Sequence, residues 1–221
     1  CYRLYSQFGL SQEGVVVMGL AFYVLRVVHL LIESYKGNVG HLQWRELISW
    51  LWFIPTMQVG PIHRFQPFLR DLARRRWDTE VFARGLQRVL FGYAKLVIIG
   101  VYLVDNLMLD WLKTLPQDDW IYYYLSLCRY GASLYFQFAG YSDIAIGFAL
   151  ILGFRVMENF NFPFLARDIS DFWRRWHISL SSWCREYVYM PAISISRSPL
   201  VAAVASMVVL GVWHELTWRY L

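Results

Sequence analysis

The sequence predicts an all-α protein that crosses a membrane several times. Of its 221 residues, 57% are hydrophobic and only 17% are charged, whereas soluble domains carry about 25% charged residues. Several apolar stretches approach the roughly 20 residues that a helix needs to cross the hydrocarbon core. The 11 tryptophans and 15 tyrosines suit a chain with many membrane–water interfaces, where amphipathic rings prefer to lie. We therefore expect a polytopic membrane protein rather than a soluble domain.

The charged residues predict how the chain is oriented. A net charge of +5 is compatible with nucleic-acid binding, but in a polytopic chain excess Lys and Arg mark cytoplasmic loops and contacts with anionic lipid. The strongest signal of this kind is the basic, aromatic stretch from His63 to Trp77, which the positive-inside rule places on the cytoplasmic face. We expect membrane lipids, and no nucleic acid, as its contacts.

The first predicted span runs from Gly14 to Ile32 and contains Arg26 and His29. Charged groups in such a span are costly unless they reach protein, water or the interface. Both side chains lie toward the end that is followed by Glu33. We therefore expect them to snorkel to the interface.

The next two apolar stretches differ in length. The stretch from Leu47 to Ile62 is short for a span and contains Pro55, which favours a broken or re-entrant element buried in protein. The stretch from Leu86 to Val104 is long enough to span and carries Lys95 near its middle. Because lipid does not solvate an ammonium group, we expect Lys95 to pair with an acidic side chain or a backbone carbonyl of a neighbouring helix. A short amphipathic linker is expected after Asp105–Asn106.

A longer apolar stretch runs from Trp120 to Phe154. It exceeds the length of one straight span, so we expect two helices joined near Gly140–Asp143. Its glycines suit the close helix packing of membrane bundles. Asp143 is predicted to be a counter-ion, with Lys95 or Arg129 as its partner, or to be part of a polar cavity.

A turn and a helix start are predicted in the polar segment that follows. The stretch Glu158–Phe164 contains Pro163 and cannot be regular helix throughout. The next helix begins after a residue whose side chain can cap its first N–H groups, and Asp168, Ser170 and Asp171 are the candidates.

That helix is predicted to be amphipathic and to end at Met190–Pro191. It is expected to lie in the membrane interface or to dip partly inward. Asp171 and Arg175 are four residues apart with the acid first, the favourable order for an exposed pair. The apolar stripe at steps of three and four comprises Phe172, Trp176, Leu180, Trp183 and Tyr187. Another face comprises Trp173, His177 and Ser181.

The final span is predicted from Pro199 to Leu221. His214 lies roughly 22 Å along it at 1.5 Å per residue, within a hydrocarbon core of about 30 Å. An ionisable group at that depth is a functional-site candidate. His177 is a weaker candidate, because a histidine on an interfacial helix is often only a polar tip. Glu215 and Arg219, four residues apart, are expected to neutralise each other in part.

Several motifs occur in one order along the chain, and in combination they resemble the membrane-bound O-acyltransferase family. The similarity is greatest to its bacterial branch, which holds the membrane subunits of alginate O-acetylation and teichoic acid D-alanylation. The resemblance extends from about Leu20 to the end. The motifs are Phe53–Ile62, Phe138–Gly147, Glu158–Pro163, Asp171–Leu180, Tyr187–Pro191 and Trp213–His214.

The sequence also departs from the pattern of that family. Bacterial members usually have Gly where Glu215 stands, and the segment Ala192–Pro199 lacks their glycine- and asparagine-rich loop. Members are longer than this chain, so we expect residues 1–221 to form one transmembrane domain without the outer helices at either end.

The resemblance implies a bundle of transmembrane and re-entrant helices around a central tunnel, with acyl transfer to a hydroxyl as its chemistry. It implies that His214 is the essential residue, acting as general base, and that His177 is the second signature residue. The oxyanion that develops on the acyl carbonyl would be stabilised by His177, Arg174 or Arg175, or these residues would instead hold the acyl donor. No nucleophile elbow surrounds a serine, which favours direct transfer. The substrate-binding candidates are Trp173, Arg174, Arg175, Trp176, Trp213 and Asp143.

The resemblance implies no bound metal or cofactor, and a co-substrate that is acetyl-CoA or the thioester of an acyl carrier. The expected acceptor is a cell-envelope polysaccharide, with a periplasmic or extracellular acyltransferase as partner and the cytoplasmic (inner) membrane as location. The alternatives are D-alanyl transfer to teichoic acid, a subunit that transports the donor or a lipid without chemistry, and a purely structural subunit of an export complex. Broken helices also suit a transporter, although the sequence contains no inverted repeat.

Overall fold

The computed structural model describes the backbone of residues 12–214 and the side chains of residues 22–213. Within these ranges all regular secondary structure is helical, which confirms the predicted all-α class. The chain divides into a hairpin unit, residues 70–156, and a two-segment unit, residues 1–69 with 157–221. The helices are α1 (Gln12–Tyr35), α2 (Trp44–Leu51), α3 (Phe65–Arg74), α4 (Thr79–Leu112), α5 (Trp120–Ile151), α6 (Ile169–Arg175), α7 (Ile178–Cys184), α8 (Met190–Ser196) and α9 (Pro199–His214).

The hairpin unit is built on α4 and α5, which pack antiparallel through glycines. A Cβ atom on Gly140 would lie 2.8 Å from the carbonyl oxygen of Gly92, and one on Gly147 would lie 2.7 Å from that of Gly85. On each helix the two glycines are about two turns apart, so they form one stripe. The two backbones therefore approach more closely than any larger side chain would allow.

The break predicted near Gly140–Asp143 is wrong, because α5 is one continuous helix from Trp120 to Ile151. The glycine serves the contact with α4 rather than a change of chain direction. Glycine lowers helix propensity by only about 1 kcal/mol, and close packing with a neighbouring helix offsets such a cost.

Both helices of this unit are long and apolar enough to cross a membrane. The 32 residues of α5 correspond to about 48 Å of helix, more than the roughly 30 Å hydrocarbon core. In α4 the backbone is π-helical from Ala94 to Met108.

The linker predicted after Asp105–Asn106 is also wrong, since α4 continues to Leu112. The carboxylate of Asp105 accepts hydrogen bonds from Arg129 (2.9 Å) and Gln137 (2.6 Å) of α5. The charge is thus satisfied inside the helix pair, and the helix does not have to end there. Arg129 is consequently the partner of Asp105.

The two-segment unit contains the predicted broken element. After α2 the chain forms a short 3-10 turn at Ile54–Thr56 and then no helix until Phe65, as the prolines predict. α1 covers the first predicted span. The buried core of this unit is formed by Phe22, Leu25, Ile62, Leu180, Trp183 and Cys184.

The helix predicted to end at Met190–Pro191 instead continues to Ser196. A π-helical turn, Arg185–Tyr189, joins α7 to α8 directly before this proline. A helix can accommodate an interior proline where its regular hydrogen-bond ladder is already interrupted. Beyond His214, the remainder of the last predicted span, with Glu215 and Arg219, lies outside the described residues.

Candidate active site

The segment with the cationic motif is broken at His177, where one continuous helix was predicted. α6 ends at Arg175, Trp176 is extended, and His177 adopts φ 43° and ψ 53° in the left-handed region. That region is unfavourable for a residue with a Cβ atom. The predicted face shared by Trp173, His177 and Ser181 therefore does not exist, because the helix changes course between the first and the last of them.

Asn159 holds this break in place, although the sequence had indicated only a turn there. Its backbone carbonyl accepts the N–H of Ile178 (2.9 Å). Its side-chain oxygen accepts both the N–H (3.3 Å) and the hydroxyl (2.6 Å) of Ser179. Helix N-termini leave N–H groups without intrahelical partners, and the His177 side chain does not cap α7. Asn159, from another part of the chain, performs that task.

His177 is buried, with 5% of its surface exposed, and lies among aromatic rings. Its ring centroid is 6.2 Å from that of Phe22 and 6.1 Å from that of Trp213. Phe22 and Trp213 contact each other edge to face at 5.4 Å. The structure thus brings together His177 and Trp213, two of the predicted site residues. His214 follows as the last residue of α9, but its side chain lies outside the described residues.

The acidic residue of the motif is surrounded by arginines. Asp171 is buried (6% exposed) and is not half of the exposed pair that was predicted. Its carboxylate contacts the guanidinium Nε of Arg175 at 3.0 Å and accepts the backbone N–H of Arg167 at 3.2 Å. The hydrogen bond from Arg175 lowers the pKa of Asp171 below its ordinary value, and the Arg167 N–H acts in the same direction. Asp168 caps α6 through the N–H of Asp171 (2.7 Å), which confirms one of the predicted capping residues.

The two neighbouring arginines differ in what they can bind. Arg175 is held by Asp171 and also contacts the carbonyl of Asn161 at 3.4 Å. Arg174 lies 3.8 Å from Asp171 and is 65% exposed at its side chain. Arg174 is therefore the more available cation for a ligand.

The tryptophans of the motif form an aromatic cluster. Trp176 stacks on Phe172 with centroids 5.6 Å apart and an interplanar angle of 15°, and it meets Phe160 edge to face at 5.1 Å. Trp173 contacts Phe172 at 5.6 Å. These ring pairs fix the C-terminal turn of α6, immediately before the break.

Arg26, which was predicted to snorkel to the interface, is instead 1% exposed. Its NH2 group donates to the backbone carbonyl and to Oγ1 of Thr56, the latter at 2.7 Å. The Thr56 hydroxyl lies 2.8 Å from Nδ1 of His63. No pattern in the sequence indicated that Thr56 would hold this arginine, because the broken element brings the two residues together only in the folded chain.

His29, also predicted to snorkel, is likewise buried and forms a second chain of polar contacts. Its Nε2 accepts the N–H of Phe65 (3.1 Å), so in a neutral ring the proton is on Nδ1. Nδ1 then donates to the hydroxyl of Tyr187 (2.7 Å), which donates to Glu33 (3.0 Å). Burial raises the pKa of Tyr187, which keeps the phenol protonated as a donor. This chain ties α1 to the segment that follows the His177 break.

Asp143, in the hairpin unit, is the predicted counter-ion. Its carboxylate pairs with Lys95, which confirms the pairing expected for that lysine. The same carboxylate also contacts Arg88, with Nε at 2.8 Å and Nη2 at 2.6 Å from Oδ1. The sequence did not indicate Arg88, because the antiparallel register of α4 and α5 decides which residues face each other.

Comparison with known proteins adds an independent observation. Residues 4–221 match the model of the membrane-bound O-acyltransferase family. The chain is 34% identical over 243 aligned residues to the "Probable alginate O-acetylase AlgI" of Azotobacter vinelandii, covering 100% of this chain and 48% of that protein. It is 34% identical to the protein of the same name from Pseudomonas aeruginosa, covering 92% of this chain and 40% of that one.

A relative with a different printed name is almost as similar. The "Teichoic acid D-alanyltransferase" of Bacillus subtilis is 31% identical, over 92% of this chain and 55% of that protein. The chain spans about half the length of the curated relatives it matches. The family match covers nearly the whole chain and agrees with the motifs around His177 and Trp213. The chain therefore belongs to the membrane-bound O-acyltransferase family.

Proposed function

We propose that the protein containing this chain transfers an acetyl group from an activated donor to a hydroxyl of a cell-envelope polysaccharide. Family membership supports an acyl transfer, and the printed names of the relatives with 34% identity support acetyl as the group. The structural observation that carries the proposal is the strained, buried His177 packed against Trp213, the residue before His214.

The proposed general base is His214. A neutral imidazole takes the proton of the acceptor hydroxyl while the oxygen attacks the carbonyl carbon of the donor thioester. The new C–O bond forms and the carbonyl electron pair moves onto oxygen. The tetrahedral intermediate then collapses, the C–S bond breaks, and the leaving thiolate receives the proton from the imidazolium. No side chain of the protein forms a bond to the acetyl group in this scheme.

His177 is proposed to stabilise the developing oxyanion. Such stabilisation requires a hydrogen-bond donor whose position is fixed before the reaction. The hydrogen bonds that Asn159 accepts from Ser179 hold the backbone next to His177 and supply that rigidity. Trp173, Trp176 and Trp213 would form aromatic walls for the substrates.

The two arginines of the motif are assigned different roles, according to how exposed each side chain is and what it already contacts. Arg174, exposed beside Asp171, is proposed to bind an anionic group of the donor, either acetyl-CoA or the thioester of an acyl carrier. Arg175, held by Asp171, is proposed to keep α6 rigid. For Asp143, whose two oxygens already contact two cations, we propose the role of counter-ion within the hairpin unit rather than substrate binding.

The location and partners follow from the same proposal. A donor made in the cytoplasm and an acceptor outside it require a multi-pass protein of the cytoplasmic membrane with a central tunnel that reaches His214 from both sides. A periplasmic or extracellular acyltransferase is proposed as its partner protein. Membrane lipids surround the protein.

D-alanyl transfer to teichoic acid is the second candidate. The relative from Bacillus subtilis with that printed name is 31% identical, close to the 34% of the first group. D-alanyl and acetyl esters have the same reacting carbonyl, so the proposed base chemistry applies to both. The two candidates differ in the acyl group, in its donor and in the acceptor.

Mass spectrometry of the envelope polymers tests the proposal in cells that carry the wild-type protein or the His214→Ala variant. Loss of O-acetyl esters in the variant is the expected result, and loss of D-alanyl esters would assign the second candidate. Polymers with unchanged esters of both kinds would contradict the assignment of His214 as the general base of either transfer. The matched control is His41→Ala, since His41 is an exposed histidine outside the proposed site.

A further inference from the structure

We propose that the two-segment unit binds a small monovalent anion, such as chloride, beside the buried guanidinium of Arg26. The site does not depend on the proposed acyl transfer. It is defined by three buried side chains that carry N–H groups without an acceptor among the described residues. These side chains are Arg26, Trp50 and His63.

Arg26 is a buried cation whose partners are uncharged. It is 1% exposed, and its Nη2 donates to the backbone carbonyl and to the hydroxyl of Thr56. Its Nε and Nη1 have no hydrogen-bond partner, and no carboxylate in the part of the chain that the structure describes pairs with it. A buried charge without a counter-ion is strongly destabilising. The guanidinium therefore requires a negative charge that the described side chains do not supply.

His63 adds a second unpartnered donor through its tautomer. The Thr56 hydroxyl accepts a hydrogen bond from Arg26 (2.7 Å), and the acceptor within its reach is Nδ1 of His63 (2.8 Å). The hydroxyl therefore donates to Nδ1, which leaves the proton of a neutral ring on Nε2. This Nε2–H is buried and has no partner among the residues with described side chains.

The indole N–H of Trp50 is the third such group. Trp50 is completely buried, and its Nε1 meets no acceptor within the described ranges. Its ring packs edge to face on His63, with centroids 5.8 Å apart, and His63 shares the Thr56 hydroxyl with Arg26. Side chains from α1, α2 and the broken element thus place their unpartnered donors in one neighbourhood. Buried polar groups in folded proteins are normally hydrogen-bonded, so this neighbourhood indicates a ligand.

The chemistry of these groups favours an anion over a water molecule. The guanidinium, the indole and the Nε2–H of His63 are donors only. A water molecule can accept from them, but its own two hydrogens then need acceptors, which these side chains do not offer. An anion accepts from every donor and also neutralises Arg26, so it satisfies both requirements.

Burial limits the size of that anion. Arg26, Trp50, Thr56 and His63 are each at most 5% exposed. A polysaccharide or a thioester donor could not reach the guanidinium without opening the core. A single-atom anion needs little more than the space of one buried water molecule. Its one negative charge also matches the one positive charge of Arg26.

The first experiment is thermal unfolding of the purified protein in detergent, with sodium gluconate replaced stepwise by sodium chloride at constant ionic strength. Gluconate is too large for the site. We expect the unfolding temperature to rise by about 3 °C for each tenfold increase in chloride above its dissociation constant, as mass action requires. An unfolding temperature that does not change with chloride would overturn the proposal.

Three variants assign this dependence to the site. Arg26→Met removes the charge and should abolish the chloride dependence. Trp50→Phe removes one N–H but keeps an aromatic ring, so the dependence should shift to several-fold higher chloride. The matched control is Arg45→Met, because Arg45 is an exposed arginine of α2, and it should respond as the wild type does. A wild-type response in Arg26→Met would overturn the proposal.

A crystal structure of the wild-type protein in sodium bromide provides the test if Arg26→Met does not fold. Bromide replaces chloride and scatters anomalously. We expect an anomalous peak within hydrogen-bonding distance of Nε and Nη1 of Arg26. A map that shows water alone at this position, or bromide only on the protein surface, would overturn the proposal.

Discussion

Asn159 accepts two hydrogen bonds from Ser179 on a single side-chain oxygen, one from the backbone N–H and one from the hydroxyl. Both residues are completely buried. The pair fixes the first turn of α7 immediately after the left-handed His177. The position of this histidine therefore depends on a residue about twenty positions earlier in the chain.

The first prediction concerns that pair. Asn159→Ala leaves a buried N–H and a buried hydroxyl without their acceptor, which costs about 1–3 kcal/mol. We expect a lower unfolding temperature in detergent and a ten- to hundredfold fall in acyl-transfer rate, as for a displaced catalytic group. The control is Asn161→Ala at an exposed position two residues away. If Asn159→Ala lost stability but kept the wild-type kcat and KM, the pair would be structural only.

A second prediction separates the backbone of His177 from its imidazole. Asparagine tolerates φ 43° whereas a β-branched residue does not. His177→Asn should therefore fold with nearly wild-type stability, and His177→Val should be less stable by roughly 1–2 kcal/mol or more. Both should lose acyl transfer, because both lack the ring. Thermal unfolding and initial rates measured on the same preparations check this, and an active His177→Val would refute the role of the imidazole.

The glycine stripe gives a third prediction. In Gly140→Ala the new methyl group would lie 2.8 Å from the carbonyl oxygen of Gly92, so the helices must separate, at a cost of about 1–3 kcal/mol. Gly131→Ala is the matched control in the same helix, since its methyl group would meet nothing within 4 Å. The control should gain about 0.5–1 kcal/mol from better helix propensity. Equal unfolding temperatures for the two variants would contradict the packing described.

The fourth prediction is a pH dependence. The hydrogen bond from Arg175 lowers the pKa of Asp171 in the folded protein, so the carboxylate stabilises the fold above the ordinary pKa of an aspartic acid. That stabilisation is lost as the pH falls through the lower, folded-state pKa. Unfolding temperatures measured from pH 7 to pH 3 should therefore fall more steeply for wild type than for Asp171→Asn. Parallel curves would show that the ion pair contributes nothing.

The features that could be predicted from the sequence are those that depend on residue types and on spacings within one segment. The apolar stretches indicated the long helices, Pro55 indicated the broken element, and Asp168 indicated the start of α6. A lysine in the middle of a predicted membrane span has to find an acid, so the pairing of Lys95 with Asp143 was also predictable. These inferences needed only residue types and short spacings.

The inferences that failed depend on contacts between distant parts of the chain. Gly140 could mark either a break in the helix or a close contact with another helix. Only the position of Gly92 opposite it in the folded chain shows that it marks a close contact. The helix break at His177 requires Asn159 as an external cap, and the burial of Arg26 requires Thr56. No pattern within one helix reveals such partners. The motif at His177 predicted candidate site residues but not the backbone that presents them.

The most direct test of the central claim is the transfer of radiolabelled acetyl from acetyl-CoA to envelope polymer in membrane vesicles that contain the wild-type protein or His214→Ala. If His214 is the general base, the variant reaches the membrane in normal amount, folds as the wild type does, and transfers no acetyl above background. Transfer by His214→Ala at close to the wild-type rate would contradict the assignment of His214 as the general base.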